Sequence, residues 1–141
     1  MSKKEEFVEW FDGQKFKGFS VDNFIKYFER EGNTFPPKSK WKNIVETMKT
    51  LELLFNDIKM PIRIISSYRS VKFNKSVGGD AKSSHKDFNA VHIQVDGVNA
   101  TWVLSRLERL RRQGKFNGSL GVSKTYVHLD TSGDNITFDA T

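Results

Sequence analysis

Seven apolar residues recur at helical spacing between positions 41 and 58: Trp41, Ile44, Val45, Met48, Leu51, Phe55 and Ile58. A stripe of that length predicts a helix that must bury one face against a second layer. The residues that follow can supply the layer. After Pro61, "IRIISSY" is rich in β-branched residues and reads as a strand. "AVHIQV" (90–95) alternates, with Val91, Ile93 and Val95 on one face and Ala90, His92 and Gln94 on the other. "TYVHLD" (125–130) alternates as well, with Thr125, Val127 and Leu129 opposite Tyr126, His128 and Asp130.

The remaining segments fit around this pair of layers. "SVDNFIKYFEREG" reads as a helix with Ser20 as N-cap, Phe24, Ile25 and Phe28 as its stripe and Gly32 as its stop. Pro36 and Pro37 make "NTFPPKSK" a loop. "RSVKFNKSVGGDAKSSH" reads as a long polar connection containing Gly78-Gly79, and connections of that length are often functional. Asn99 can cap a helix over 100–113 that buries Trp102, Val103, Leu107 and Leu110 and ends at Gly114, and "NITFDA" is a weak last strand. Helices first, then strands interrupted by a helix, predict an α+β fold with a mainly antiparallel sheet and N-terminal helices packed on it. The 141 residues read as a single domain, with 1–19 as an N-terminal extension, and twelve Phe and three Trp can fill its core.

Several function classes drop out. The chain has no cysteine, so disulfides and thiolate metal sites are excluded. "MSKKEEFVEWFDG" lacks an apolar run of signal-peptide length, and no stretch approaches the roughly 20 apolar residues of a membrane span. The expectation is synthesis in the cytoplasm without a signal peptide, with release by another agent if the protein acts outside. Net charge is +6, with a basic cluster at "RLERLRRQGK" (106–115). Such a cluster is either a solvated helix face or a surface for an anionic partner, nucleic acid or an acidic wall polymer. No nucleic-acid motif accompanies it.

The three histidines are His85, His92 and His128. Both alternating segments place a histidine opposite the β-branched face, so His92 and His128 can project from neighbouring strands into one cleft. His85, at the end of the polar connection, can close a third side. Three protein ligands and an open fourth position is the arrangement of a catalytic zinc, and imidazole suits zinc. The alternative reading of the same residues is three surface or hydrogen-bonded histidines.

The order "SSYRSVKFNKSVGGDAKSSH" then "YVHLD", with "GSLGVSKTYVHLDTSGDN" closing the chain, resembles the zinc D-alanyl-D-alanine carboxypeptidase family. That family includes small phage cell-wall peptidases and shares a hedgehog-type fold. Ser67 to Ser70, Asn74, Gly78-Gly79, Ser83, His85 and His128 fall in its order over residues 20 to 138. The resemblance implies a Zn2+ cofactor with His85 and His128 as ligands. It implies that Arg69 orients a substrate carboxylate or carbonyl oxygen, a task a guanidinium fork suits. It implies that Ser83 supports the loop or binds substrate near the metal, whereas Tyr68 and Trp102 are expected to pack.

Two positions depart from the family pattern. Its second ligand is Asp, and here the position is His92. Imidazole is a sound zinc ligand, but it reaches further than Asp and carries no negative charge. Several branches also carry an acid three positions before the last histidine, and here that position is Thr125, which leaves Asp130 either as the acid that takes a proton from the attacking water or as a strand-end residue that orients a ligand. The implied function is a phage-encoded zinc peptidase cleaving peptidoglycan stem peptides. The alternative is a non-catalytic virion, tail or wall-binding protein on the same fold, with virion proteins as partners and a degenerate metal site.

Overall fold

The computed structural model describes residues 1–140. The chain runs α1 (Lys3–Gln14), α2 (Asp22–Phe28), a 3-10 turn (Lys38–Asn43), α3 (Ile44–Ile58), β1 (Ile62–Ser66), α4 (Val71–Ser76), a second 3-10 turn (Ser84–Asp87), β2 (Ala90–Val95), α5 (Ala100–Arg112), β3 (Leu120–Val122), β4 (Val127–Asp130) and β5 (Thr137–Asp139). This is the α+β arrangement the sequence predicts. The strands form one sheet in the order β1-β2-β4-β3-β5. Three of its pairings are antiparallel, whereas β3 and β5 run parallel, so the sheet is mixed.

One face of the sheet is the core. Val91, Ile93 and Val95 of β2 and Val127 and Leu129 of β4 are buried there beneath α3 and α5. From α3, Ile44, Met48, Leu51 and Leu54 are fully buried. Each such side chain contributes about 1.5–3 kcal/mol through removal from water. The stripe is narrower than the sequence pattern suggests. Residues 38–43 form a 3-10 turn rather than the helix's first turn, and Val45, Phe55 and Ile58 are only partly buried. Two polar ties fix α3 against the strands. Buried Thr47 donates from Oγ1 to the Asn89 carbonyl just before β2, and the same hydroxyl shares a hydrogen bond with Thr131 Oγ1 just after β4.

The N-terminal segment completes the core. A capping box between Ser2 and Glu5 starts α1. Phe7 and Phe11 then enter an aromatic cluster with Phe24, Phe28, Trp41 and Phe88. The spacing of Phe7 and Phe11, four residues apart, is the sequence signal for that helix. Asn99 caps α5 as expected, its Oδ1 accepting from the Trp102 amide at 2.9 Å.

The basic cluster of α5 is partly used inside the protein. Arg106 makes two hydrogen bonds of 2.8 Å to Asp57 of α3, and Arg111 reaches the backbone around β3 and β5. The polar connection 69–85 is not a plain loop. Ser70 caps α4 through the Phe73 amide, and Ser83 caps the second 3-10 turn through the His85 amide. β3, absent from the sequence reading, is only three residues long with Gly121 at its centre, too short and too poor in side chains to signal a strand.

Candidate metal centre

The face of the sheet opposite the core carries one row of residues across all five strands. In order the row is Ser66, His92, His128, Gly121 and Phe138. A one-residue irregularity between Ile64 and Ser66 brings Ser66 level with His92. The alternation of β2 and β4 therefore puts His92 and His128 side by side as direct cross-strand partners. His85 comes over them from the second 3-10 turn. The Ser83 cap holds that turn, and the Arg69 amide donates to the His85 carbonyl at 3.1 Å.

The three side chains meet. One ring nitrogen from each of His85, His92 and His128 lies within 4.8 Å of the others. His85 Nε2 and His92 Nε2 are 3.0 Å apart. Hydrogen bonds on the outer nitrogens fix which atoms face inward. His85 Nδ1 lies 2.8 Å from the Ser67 carbonyl, an acceptor, so Nδ1 carries the proton and Nε2 offers its lone pair. His128 Nε2 lies 2.8 Å from Asp130 Oδ2, so it carries the proton and leaves Nδ1 as the basic atom. Outer partners of this kind orient metal-ligating histidines. His92 instead stacks on Tyr126, with ring centres 4.2 Å apart.

Electrostatics favours neutral rings. Burial, then the charges of His92, Arg69 and His128, push His85 well below the ordinary histidine range. Burial, then His128 and Arg69, push His92 down to about 3. Both rings are therefore deprotonated at neutral pH, the form that binds metal.

These residues fit a zinc ion. Tetrahedral zinc with bonds of about 2.0–2.1 Å separates its ligand nitrogens by roughly 3.3 Å; the His85–His92 pair stands at 3.0 Å and all three nitrogens lie within 4.8 Å of one another. The donor set is three imidazoles, with the Asp130 carboxylate one bond removed behind His128. The site also opens to substrate. It sits in a cleft of ≈ 860 Å³ whose walls include Arg69, Lys82, Tyr126, Asp134, Ile136 and Phe138.

The other expected site residues occupy defined places. Arg69 lines the cleft, its guanidinium held from two sides: Nε donates to the Tyr27 hydroxyl at 3.0 Å and Nη1 to Asn74 Oδ1 at 3.3 Å. Asn74 in turn donates to the Asp80 carbonyl. Gly79 packs so closely here that an added Cβ would collide with the Asn74 amide, which accounts for glycine in the "VGGD" loop. Ser83 lines the cleft, and its hydroxyl serves as the cap of the turn bearing His85. Tyr68 packs in the core, and Trp102 lies against it.

Asp130 stands behind His128, only 4 % exposed. Its Oδ2 takes His128, and its Oδ1 accepts from the Ser132 hydroxyl at 2.6 Å and from the Ser132 and Ser119 amides. Burial would raise its pKa, but the hydrogen bonds from His128 and Ser132 outweigh this and hold it below the usual carboxylate range. Asp130 lines the cleft, and its bond to His128 fits a group that orients that ring. Thr125 does not share the strand face expected of it. It lies exposed in the turn before β4, outside the cleft, with its carbonyl accepting from Gln94.

Tyr27, Tyr126 and Phe138 are site residues that the sequence reading did not assign. Tyr126 shares the alternation of His128, which is a usable signal. Tyr27 and Phe138 come from distant segments and carry none.

The model of the Peptidase M15 family matches residues 17–130. Neither the curated proteins nor the solved structures include a match to this chain. The family match spans α2 through the end of β4, so it contains the three histidines, Arg69, Ser83 and Asp130.

Proposed function

Because the chain belongs to the Peptidase M15 family, a family of metallopeptidases of the zinc D-alanyl-D-alanine carboxypeptidase type, we propose that it is a zinc-dependent peptidase acting on peptidoglycan stem peptides and encoded by a phage. The observation that carries the reading is the convergence of His85, His92 and His128 at the floor of a cleft that also presents Arg69. His85 Nε2 and His128 Nδ1 would hold the ion together with His92. When bound, zinc supplies a Lewis acid that lowers the pKa of water and polarises a carbonyl.

The protein's own groups do the rest. Ser67 and Asp130 keep His85 and His128 in the tautomers whose basic nitrogens face inward. Tyr27 and Asn74 fix the Arg69 guanidinium, so its remaining N–H groups are directed without loss of side-chain freedom at the moment of binding. A planar fork in that place suits a terminal carboxylate or the oxygen that gains charge as the amide is attacked. Lys82 adds positive charge along the same cleft. Among the described residues no helix is long and apolar enough to cross a membrane.

A second reading is a wall-binding or virion component with the same fold and no turnover. It is favoured by the position of Thr125 outside the cleft and by the full engagement of Asp130. The two readings separate on one experiment. Purified protein loaded with zinc is incubated with muropeptides, and the products are separated by chromatography and weighed by mass spectrometry. Release of a defined amino acid or peptide, abolished by chelator and restored by zinc, supports the peptidase. Intact muropeptides in the presence of a full zinc equivalent support the binding protein.

A further inference from the structure

The family match ends at Asp130, yet the cleft does not. Residues beyond that point, among them Ile136 and Phe138, form one of its walls. Six large apolar side chains are exposed among the described residues, and three of them, Val77, Ile136 and Phe138, line this single cleft. Ile136 is 56 % exposed and Phe138 38 %. Apolar surface gathered at one functional cleft rather than scattered indicates a contact made with something that binds there.

The wall is built to stay in place. β5 has three residues and pairs only with β3, which alone would make a weak edge. Arg111 of α5 reinforces it from outside the cleft: Nη1 donates to the Ile136 carbonyl at 2.7 Å and to the Gly118 carbonyl at 3.0 Å, and Nη2 to Thr137 Oγ1 at 2.6 Å. The Tyr126 hydroxyl, on the ring that stacks against His92, donates to the Ala140 carbonyl at 3.2 Å. Gly121 leaves room for the Phe138 ring. A Cβ there would lie 2.7 Å from that ring and 3.2 Å from His128 Cβ. Phe138 leans across this gap until its ring centre is 5.3 Å from that of His128.

We infer that residues 136–140 form the specificity wall of the cleft, with Phe138 and Ile136 receiving an apolar side chain of a bound peptide beside the histidines, and with Arg111 acting as the positioning residue that holds the wall. The inference rests on the peptidase reading for the identity of the ligand as a peptide. It divides the cleft into an oxygen-binding side at Arg69 and an apolar side at β5.

Peptide binding to the metal-free protein tests this independently of turnover. The probes are the capped tripeptides Ala-Leu-Ala and Ala-Gly-Ala, titrated by NMR on the full chain. The parent should bind the leucine peptide about tenfold or more tightly than the glycine peptide, the range expected when an apolar pocket is filled or left empty. The leucine peptide should also shift resonances of Ile136 and Phe138. Ile136→Ser and Phe138→Ser should bring the two peptides to within about twofold of each other. Arg111→Met should do the same although it removes no side chain from the cleft, and Arg111→Lys should restore part of the preference. Ile136 is exposed, so its variant keeps the fold if Phe138→Ser does not. Equal binding of both peptides by the parent overturns the inference, as does a preference unchanged in the variants. Zinc-loaded parent is then given muropeptides. Preference without cleavage retains the wall and overturns the peptidase reading, whereas cleavage without preference does the reverse.

Discussion

Acid should destabilise the metal-free protein well above the carboxylate range, and His92 sets the size of the effect. Its folded pKa is about 3, against about 6.5 for an unfolded chain. As pH falls below 6.5 the unfolded chain takes up a proton that the folded one refuses. The ring's contribution is therefore complete above pH 6.5 and is lost progressively as pH falls toward 3. At pH 5 the loss from His92 alone is about 2 kcal/mol. His85 is shifted in the same direction by burial and by its charged neighbours, so its loss adds to this. Against a typical stability of about 5–15 kcal/mol, the drop is large, and from His92 alone it lowers Tm by roughly 5–8 °C between pH 7 and pH 5. The assay is thermal unfolding by circular dichroism in chelator, for the parent and for His92→Gln, which cannot titrate. The variant should show a visibly flatter dependence over the same interval. Identical slopes for the two proteins, or a parent Tm independent of pH from 7 to 5, would refute the burial argument for the cluster.

Three further outcomes follow from the geometry. Arg69→Lys loses the fork that Tyr27 and Asn74 hold; kcat/KM on muropeptides should fall about 100-fold while Tm moves little, and equal activity would remove Arg69 from the site. Asp130→Asn keeps the shape but weakens the charge-assisted bond that sets the His128 tautomer; zinc affinity should fall about 10–100-fold, whereas a variant with unchanged affinity and lost turnover would restore Asp130 as a proton acceptor. His92→Asp shortens the ligand and adds the negative charge the family carries at this position; the fold and zinc binding should persist and peptidase activity should rise where the parent has little, and abolished cleavage would show a site adapted to three histidines.

Much of this site is readable from residue patterns, for reasons that differ by residue. His92 and His128 sit in strict alternations, so their shared face follows from the two-residue period of a strand. Their register does not. The direct pairing of the two depends on how β4 docks beside β2, which no local pattern encodes. Arg69, Asn74 and Gly79 are recognisable as a spaced motif, but their mutual contacts arise from α4, whose six mostly polar residues carry no apolar stripe. Thr125 reads as part of a strand because it continues the alternation of Val127 and Leu129. The Ser123 hydroxyl, which accepts from the Thr125 and Tyr126 amides, forms a turn there instead. Asp130 fits a proton acceptor or a ligand's anchor equally by type and spacing, and the donors around it, Ser119, Ser132 and His128, come from tertiary packing that no local pattern encodes. Phe138 and Tyr27 reach the site from segments far from the motif, by tertiary packing alone.

Zinc content decides the central claim. Protein purified without a histidine tag is supplied with zinc, dialysed, and measured by elemental analysis beside the His85→Ala, His92→Ala and His128→Ala variants, each checked for a retained fold by circular dichroism. Three converging ring nitrogens predict about one zinc per parent chain and a sharp fall in each variant. Well under half an equivalent in the parent, or full retention in all three variants, would contradict a metal centre at these histidines.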